Sequence, residues 1–244
     1  MASPYAQLKE EAWLANVEIP ARGLALYTWG NVSAFDPASG VFAIKPSGVP
    51  YNELRAEDMV VIDLDGARVE GRLNPSSDTP THRVLYREWG AVMGSDGQRS
   101  PIGGIIHTHS AHAVAWAQAG LDIPLFGTTH ADHIQTPVPC TPFLSEEAVN
   151  RDYELETGNL IVRHFRERSL DPAEVTMVLV GGHGPFAWGK DASKAVYNGR
   201  VLEEIARMAL MTLELNPAAV PLPAYIVSKH YNRKHGSGAY YGQK

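Results

Sequence analysis

The run Ile105-Ile106-His107-Thr108-His109 constrains this chain more than any other stretch of it. Two glycines lead into an apolar, β-branched segment, which reads as a buried strand. Side chains alternate along a strand, so His107 and His109 point to one face while Ile106 and Thr108 point to the other. Two neutral imidazoles converging at a strand end are what a borderline divalent cation such as Zn²⁺ or Mn²⁺ takes from a sheet. A lone His-x-His pair leaves the alternative open that either ring is simply a hydrogen-bonded side chain at a strand end.

His183 strengthens the metal reading. It follows a second apolar run, VTMVLVGGHG, whose glycines let the backbone approach closely. Three histidines from two strand ends leave a coordination position open, the pattern of catalytic rather than structural metal sites. Asp78, in PSSDTPTH, is a candidate fourth ligand, although its local pattern fits a helix N-cap equally well. His82, four residues on, shares a helix face with Asp78 and is expected behind the site or on the surface. His112, His133 and His164 are expected to be solvated or locally hydrogen-bonded, and Asp63 and Asp65 to face solvent. Gly182-His183-Gly184-Pro185-Phe186-Ala187 has the form of a dinucleotide-binding turn. Pro185, Phe186 and Trp188 stand where its helix should start, so no NAD site is expected there.

Elsewhere strands and helices interleave. Residues 5–17, 79–89, 111–119, 145–168, 192–215 and 222–235 read as helices, with Asp191 capping the fifth and Gly120 closing the third. GNVSAFD and VFAIKPSG flank the turn Pro37-Ala38-Ser39-Gly40, MVVIDLDG and ARVEGR form a second pair, and VTMVLVGG and GPFAWG a third. The expected fold is α/β: one three-layer domain spanning 1–244, with a central mixed or largely antiparallel sheet covered by helices.

The net charge of −6 spreads over mixed acids and bases, which excludes the basic field that nucleic acid or an anionic membrane requires. An anionic substrate would therefore need local positive charge. Cys140 is the one cysteine, so no internal disulfide can form; no signal-like run opens the chain, and no apolar stretch approaches the roughly 20 residues of a membrane span. A cytoplasmic, soluble protein is expected.

Taken together, TWGNVS (28–33), KPSG (45–48), PSSDTPTH (75–82), HTHS (107–110), GTTHAD (127–132), HGPFAWG (183–189) and the tail KHY…KHG…YYGQ (229–243) resemble the L-ribulose-5-phosphate 4-epimerases, within the class II, metal-dependent aldolase family. The resemblance runs in order along nearly the whole chain. It implies one divalent cation per subunit, Zn²⁺ or Mn²⁺, held by Asp78, His107, His109 and His183. It implies Asp132 and Tyr241 as acid and base on the two faces of the reacting carbon. A sugar phosphate would be bound by Gly30, Asn31, Lys45, Ser47, Gly48, Ser76 and Ser77. Thr128, Glu154, His230 and Arg233 would support the site across a subunit interface, and the family implies a homotetramer with Tyr241 coming from the neighbour. Two departures are visible: residues 94–100 look inserted, and Gly181 stands where epimerases often carry a further histidine. The rival readings are a fuculose- or rhamnulose-phosphate aldolase, where position 78 is usually Glu; a non-catalytic scaffold on the same fold; and a metallohydrolase.

Overall fold

The computed structural model describes residues 3–90, 102–236, 238–240 and 242. Helix α1 (Ala6–Ala21) precedes a hairpin of β1 (Asn31–Asp36) and β2 (Val41–Ile44). A second hairpin follows, β3 (Val60–Asp63) and β4 (Arg68–Glu70), then helix α2 (Thr79–Trp89) and the central strand β5 (Gly104–His107). Helices α3 (Ala111–Ala119), α4 (Thr128–Ala131) and α5 (Glu146–Glu167) lead to a third hairpin, β6 (Met177–Val180) and β7 (Gly184–Gly189). Helices α6 (Ala192–Leu215) and α7 (Ala224–His235) end the described structure.

All the strands join one sheet in the order β4-β3-β2-β1-β5-β7-β6, and every pair is antiparallel. The mixed alternative is not taken up: among the described residues, parallel pairing occurs only as the isolated bridge Cys140–Leu179. Short turns account for the three hairpins, because tight turns join only antiparallel neighbours; the pairing of β5 with β1 and β7 sets the rest.

Side-chain alternation sorts the two helical layers. Odd-numbered residues of β1 face α2: Ser33 Oγ lies 2.7 Å from both His82 Nδ1 and Tyr86 Oη, and Phe35 stacks on Tyr86 with centroids 4.6 Å apart. Even-numbered residues face α1 and α6. Ile106 presses against Gly199 so closely that a Cβ there would come within 3.0 Å of it. Under α2 and α5, Trp89 packs on Phe165 and on Trp188 at 5.0 Å, and Phe165 on Trp188 at 5.4 Å.

Of the two places left open for His82, the structure takes the one behind the site: it is wholly buried and hydrogen-bonded to Ser33. One expectation is corrected. The helix read as continuous over 145–168 breaks at Asp152, whose φ of −170° and ψ of 97° are extended. Its carboxylate accepts from Leu155 N at 3.1 Å. Asp152 therefore ends one short helix and caps the next, with Tyr153 and Glu154 in the new first turn. The 94–100 segment lies outside the described residues.

Candidate active site

β5 stops at His107, and its antiparallel register sets Asn31 of β1 directly opposite that residue. The chain enters β1 through Gly30 at φ +77°, where a Cβ would lie 2.7 Å from the His107 carbonyl oxygen, so only glycine fits. Tyr51 donates its hydroxyl hydrogen to the carbonyls of Trp29 at 2.7 Å and Gly30 at 2.9 Å, fixing this turn. His183 sits in the β6–β7 turn, so the apparent dinucleotide motif is a hairpin with a strand where a helix would be needed.

These placements bring three imidazoles together. Ligand nitrogens of His107, His109 and His183 all lie within 4.8 Å of one another. His107 Nδ1 lies 3.0 Å from the Pro185 carbonyl oxygen and must donate to it, which turns Nε2 inward as the lone-pair nitrogen. That Nε2 is 3.1 Å from Nε2 of His109. Two nitrogens bound to one ion at about 2.0–2.1 Å would be separated by roughly 3.0–3.4 Å, so the spacing suits a shared cation. His183 Nδ1 is buried with no hydrogen-bond partner. Burial lowers the pKa of His183 to about 3 and also lowers that of His109, so both rings are held in the neutral, ligand-competent form. The donor set therefore fits a divalent metal.

The cluster opens into a cavity of about 610 Å³. Every residue that the sequence assigned to phosphate lines it: Gly30, Asn31, Lys45, Ser47, Gly48, Ser76 and Ser77. Two loops are zipped together to form this wall, by Ser47 N to Asn74 O and Ser76 N to Lys45 O, each 2.9 Å. Those bonds occupy the Ser47 and Ser76 amides; Ser76 Oγ accepts from Asn31 Nδ2 at 3.1 Å and still has its own hydrogen to donate. Lys45 is 2% exposed, its Nζ 5.0 Å from the Tyr51 ring centre and 3.3 Å from Pro46 O. Burial lowers its pKa to about 8, so near neutrality it supplies local positive charge in an acidic chain.

Asp78 lines the same cavity but stands outside the group of three imidazoles. It occupies the N-cap position of α2 without making a side-chain capping bond. Its Oδ2 instead accepts from Asn31 Nδ2 at 2.6 Å. Burial would raise its pKa, but the surrounding imidazoles of His107, His82 and His183 and the Asn31 amide prevail and lower it. Asn31 Oδ1 remains buried and unpartnered.

Of the supporting residues, only Glu154 lines the cavity; Thr128, His230 and Arg233 do not, and neither does the candidate acid or base Asp132. Asp132 is drawn to α7, where Arg233 donates through Nε at 3.0 Å and Nη2 at 2.6 Å. His230 Nδ1 is 3.0 Å away and Lys234 Nζ 3.3 Å. Burial would raise the Asp132 pKa, yet these cationic and hydrogen-bonding partners bring it down to about 2. Tyr241 lies outside the described residues. Reading the sequence missed Tyr153 and Trp29, which also line the cavity. Trp29 sits within the TWGNVS motif, its ring 6.2 Å from that of His109. No local signal marks Tyr153, because in the sequence Asp152 before it reads as an ordinary acidic residue of a helix.

A family model, the Class II Aldolase and Adducin N-terminal domain, matches residues 10–210. Over 239 residues the chain is 51% identical to L-ribulose-5-phosphate 4-epimerase UlaF of Salmonella paratyphi B, covering 98% of this chain and 99% of that protein. The Salmonella paratyphi C protein of the same name is 50% identical with the same coverage. Among solved structures, an L-fuculose 1-phosphate aldolase matches with TM-score 0.73 at 24% identity, covering 96% of this chain and 97% of the other. The L-fuculose-1-phosphate aldolase of Thermus thermophilus gives 0.62 at 24% identity, covering 89% and 100%. These two likenesses carry the fold alone. By the extent of the family match and the full-length identity to its relatives, this chain belongs to the class II aldolase and adducin N-terminal domain family.

Proposed function

We propose that this protein is an L-ribulose-5-phosphate 4-epimerase, interconverting L-ribulose 5-phosphate and D-xylulose 5-phosphate. The observation that carries the reading is one cavity holding both a three-imidazole metal cluster and a Lys-, Ser- and Gly-lined anion cradle. Full-length relatives named as this epimerase support the same substrate here.

The carbon to be inverted, C4, is β to the C2 ketone, so its C–H is not acidic and plain deprotonation cannot invert it. Breaking C3–C4 and re-forming it on the other face of the aldehyde achieves inversion without a redox cofactor. The electron pair of that bond passes to C3 and on to the C2 oxygen, while the C4 hydroxyl surrenders its proton. A divalent cation on His107, His109 and His183, with Asp78 beside it, supplies the Lewis acidity that stabilises this charge; Zn²⁺ suits the donors best, and Mn²⁺ is tolerated. Lys45, Ser47, Ser76 and Ser77 grip the phosphate, so the released fragment stays in the site and can turn over before recombining.

Two proton-transfer groups are needed, one on each face of the aldehyde. Asp132 and Tyr241 fill these roles, delivered by a neighbouring copy in a homotetramer, with Thr128, His230 and Arg233 holding Asp132 in place. Exposed apolar residues at the end of α6 and beyond, Leu215 at 87%, Val220 at 79% and Tyr225 at 76%, favour such packing. The chain works as one domain over 1–244, in the cytoplasm; no helix among the described residues is long and apolar enough to cross a membrane.

The second reading is an aldolase that releases its fragments. Asp at position 78 argues against it, because its side chain is one methylene shorter than the Glu usual in fuculose-phosphate aldolases. Purified, metal-loaded protein incubated with L-ribulose 5-phosphate should form D-xylulose 5-phosphate. Chelation and His109→Ala should each abolish that conversion. Accumulation of free glycolaldehyde phosphate would replace the epimerase with the aldolase.

A further inference from the structure

Tyr153 is the one phenol among the described residues that line the cavity. Its ring centre lies 5.7 Å from that of His183, with the planes at 51°. A phenol keeps its proton near neutral pH, so the hydroxyl can donate. Asp78 lines the same cavity as the phenol. Among the described residues that hydroxyl has no hydrogen-bond partner.

The backbone beneath it is unusually well anchored for a residue at a helix break. Asp152 caps the restarted helix through Leu155 N, and the Tyr153 carbonyl accepts from Thr157 Oγ1 at 2.8 Å. The next carbonyl, of Glu154, accepts from Thr81 Oγ1 at 2.6 Å. Thr81 belongs to the first turn of α2, three residues after Asp78. The Tyr153 backbone is therefore tied to the same turn that carries Asp78. A donor so placed, without a partner of its own, fits a role in holding substrate.

We propose that Tyr153 is a substrate-binding hydrogen-bond donor, its hydroxyl meeting the oxygens on C2 and C3 at the His183 end of the cavity. This rests on the epimerase reading. When C3–C4 opens, the bond pair moves to C3 and the C2 oxygen, and a fixed donor aimed at that oxygen lowers the cost of the charge. When the bond re-forms, the pair returns from C3 into the C3–C4 bond, the C4 oxygen takes up a proton, and the donor relaxes to an ordinary hydrogen bond. No proton leaves Tyr153 in either direction.

The test is Tyr153→Phe, which removes the oxygen and keeps the ring against His183, measured beside wild-type protein. Bound metal per chain, by atomic spectroscopy, and the melting temperature should match wild type. The kcat should fall on the order of 100-fold, the usual effect of losing one such donor. KM should change by less than about threefold, because the interaction strengthens mainly in the transition state. A kcat within about twofold of wild type, or a loss matched by an equal loss of bound metal, overturns the assignment. Failure of the wild-type protein itself to epimerise defeats the functional reading and this proposal with it; a change confined to Tyr153→Phe speaks to Tyr153 alone.

Discussion

Lys45 shows how a single residue reconciles an acidic chain with an anionic substrate. It is buried and carries a pKa of about 8, so it is charged below that value and neutral above it. Substrate affinity should therefore weaken as pH rises through about 8, seen as a climbing KM in a pH series. Lys45→Met should raise KM by roughly 10- to 100-fold at pH 7, the worth of a charge-assisted hydrogen bond, and flatten that climb. At this scale much of the site was legible. The spacing of His107 and His109, the glycines around His183 and the small residues of the two cradle loops are all local signals. Tyr153 was not legible, because what aims it is a break in a helix together with a hydrogen bond from Thr81, 72 residues earlier in the sequence (81 against 153). Asp132 was legible as a motif member, but its partners His230, Arg233 and Lys234 lie on a helix about 100 residues away, and only the folded chain reveals them.

At the scale of the element, α5 is the instructive case. Periodicity gives a helix over this stretch, and an acidic residue inside it looks like ordinary surface. The extended backbone of Asp152 makes it two helices and turns the second one's start toward the cavity. Asp152→Ala should cost about 1 kcal/mol, a typical N-cap loss, read by denaturant midpoint. It should lower kcat by more than that stability loss explains. Asp152→Asn, an equally good cap, should restore both. The β6–β7 hairpin shows a similar economy. A side chain at Gly181 would meet the Thr141 carbonyl oxygen at 2.6 Å and the Pro142 backbone at 3.1 Å. A glycine at this position thus goes with a loop packed tightly against the turn that carries His183. The strands themselves were readable because their turns are short; the choice between mixed and antiparallel was not, since it depends on which strand pairs with β5.

On the scale of the whole molecule, the cavity and the Asp132 cluster are separate places in one chain. If copies share sites, two inactive variants can repair each other. Mixing His109→Ala with Asp132→Asn subunits, by unfolding and refolding together, should restore about a quarter of wild-type activity, because random assembly pairs an intact cluster with an intact neighbour in about one site in four. Activity that stays at the level of the separate variants would place Asp132 in the same chain as the histidines it serves. Chelation should also lower the melting temperature, since a ligand bound only by the native state stabilises it by about 2.7 kcal/mol at a hundred times its dissociation constant.

The three clustered imidazoles come from the end of the central strand and from a hairpin turn 76 residues later (183 against 107). A cation held there would also be a clasp, fastening the middle of the sheet to its last-made edge. A newly synthesised chain cannot close that clasp until the final hairpin has left the ribosome, and a chain starved of metal opens there more often. Since proteases cut what opens, the supply of metal in the cell would set how long each molecule lasts as well as how fast it works.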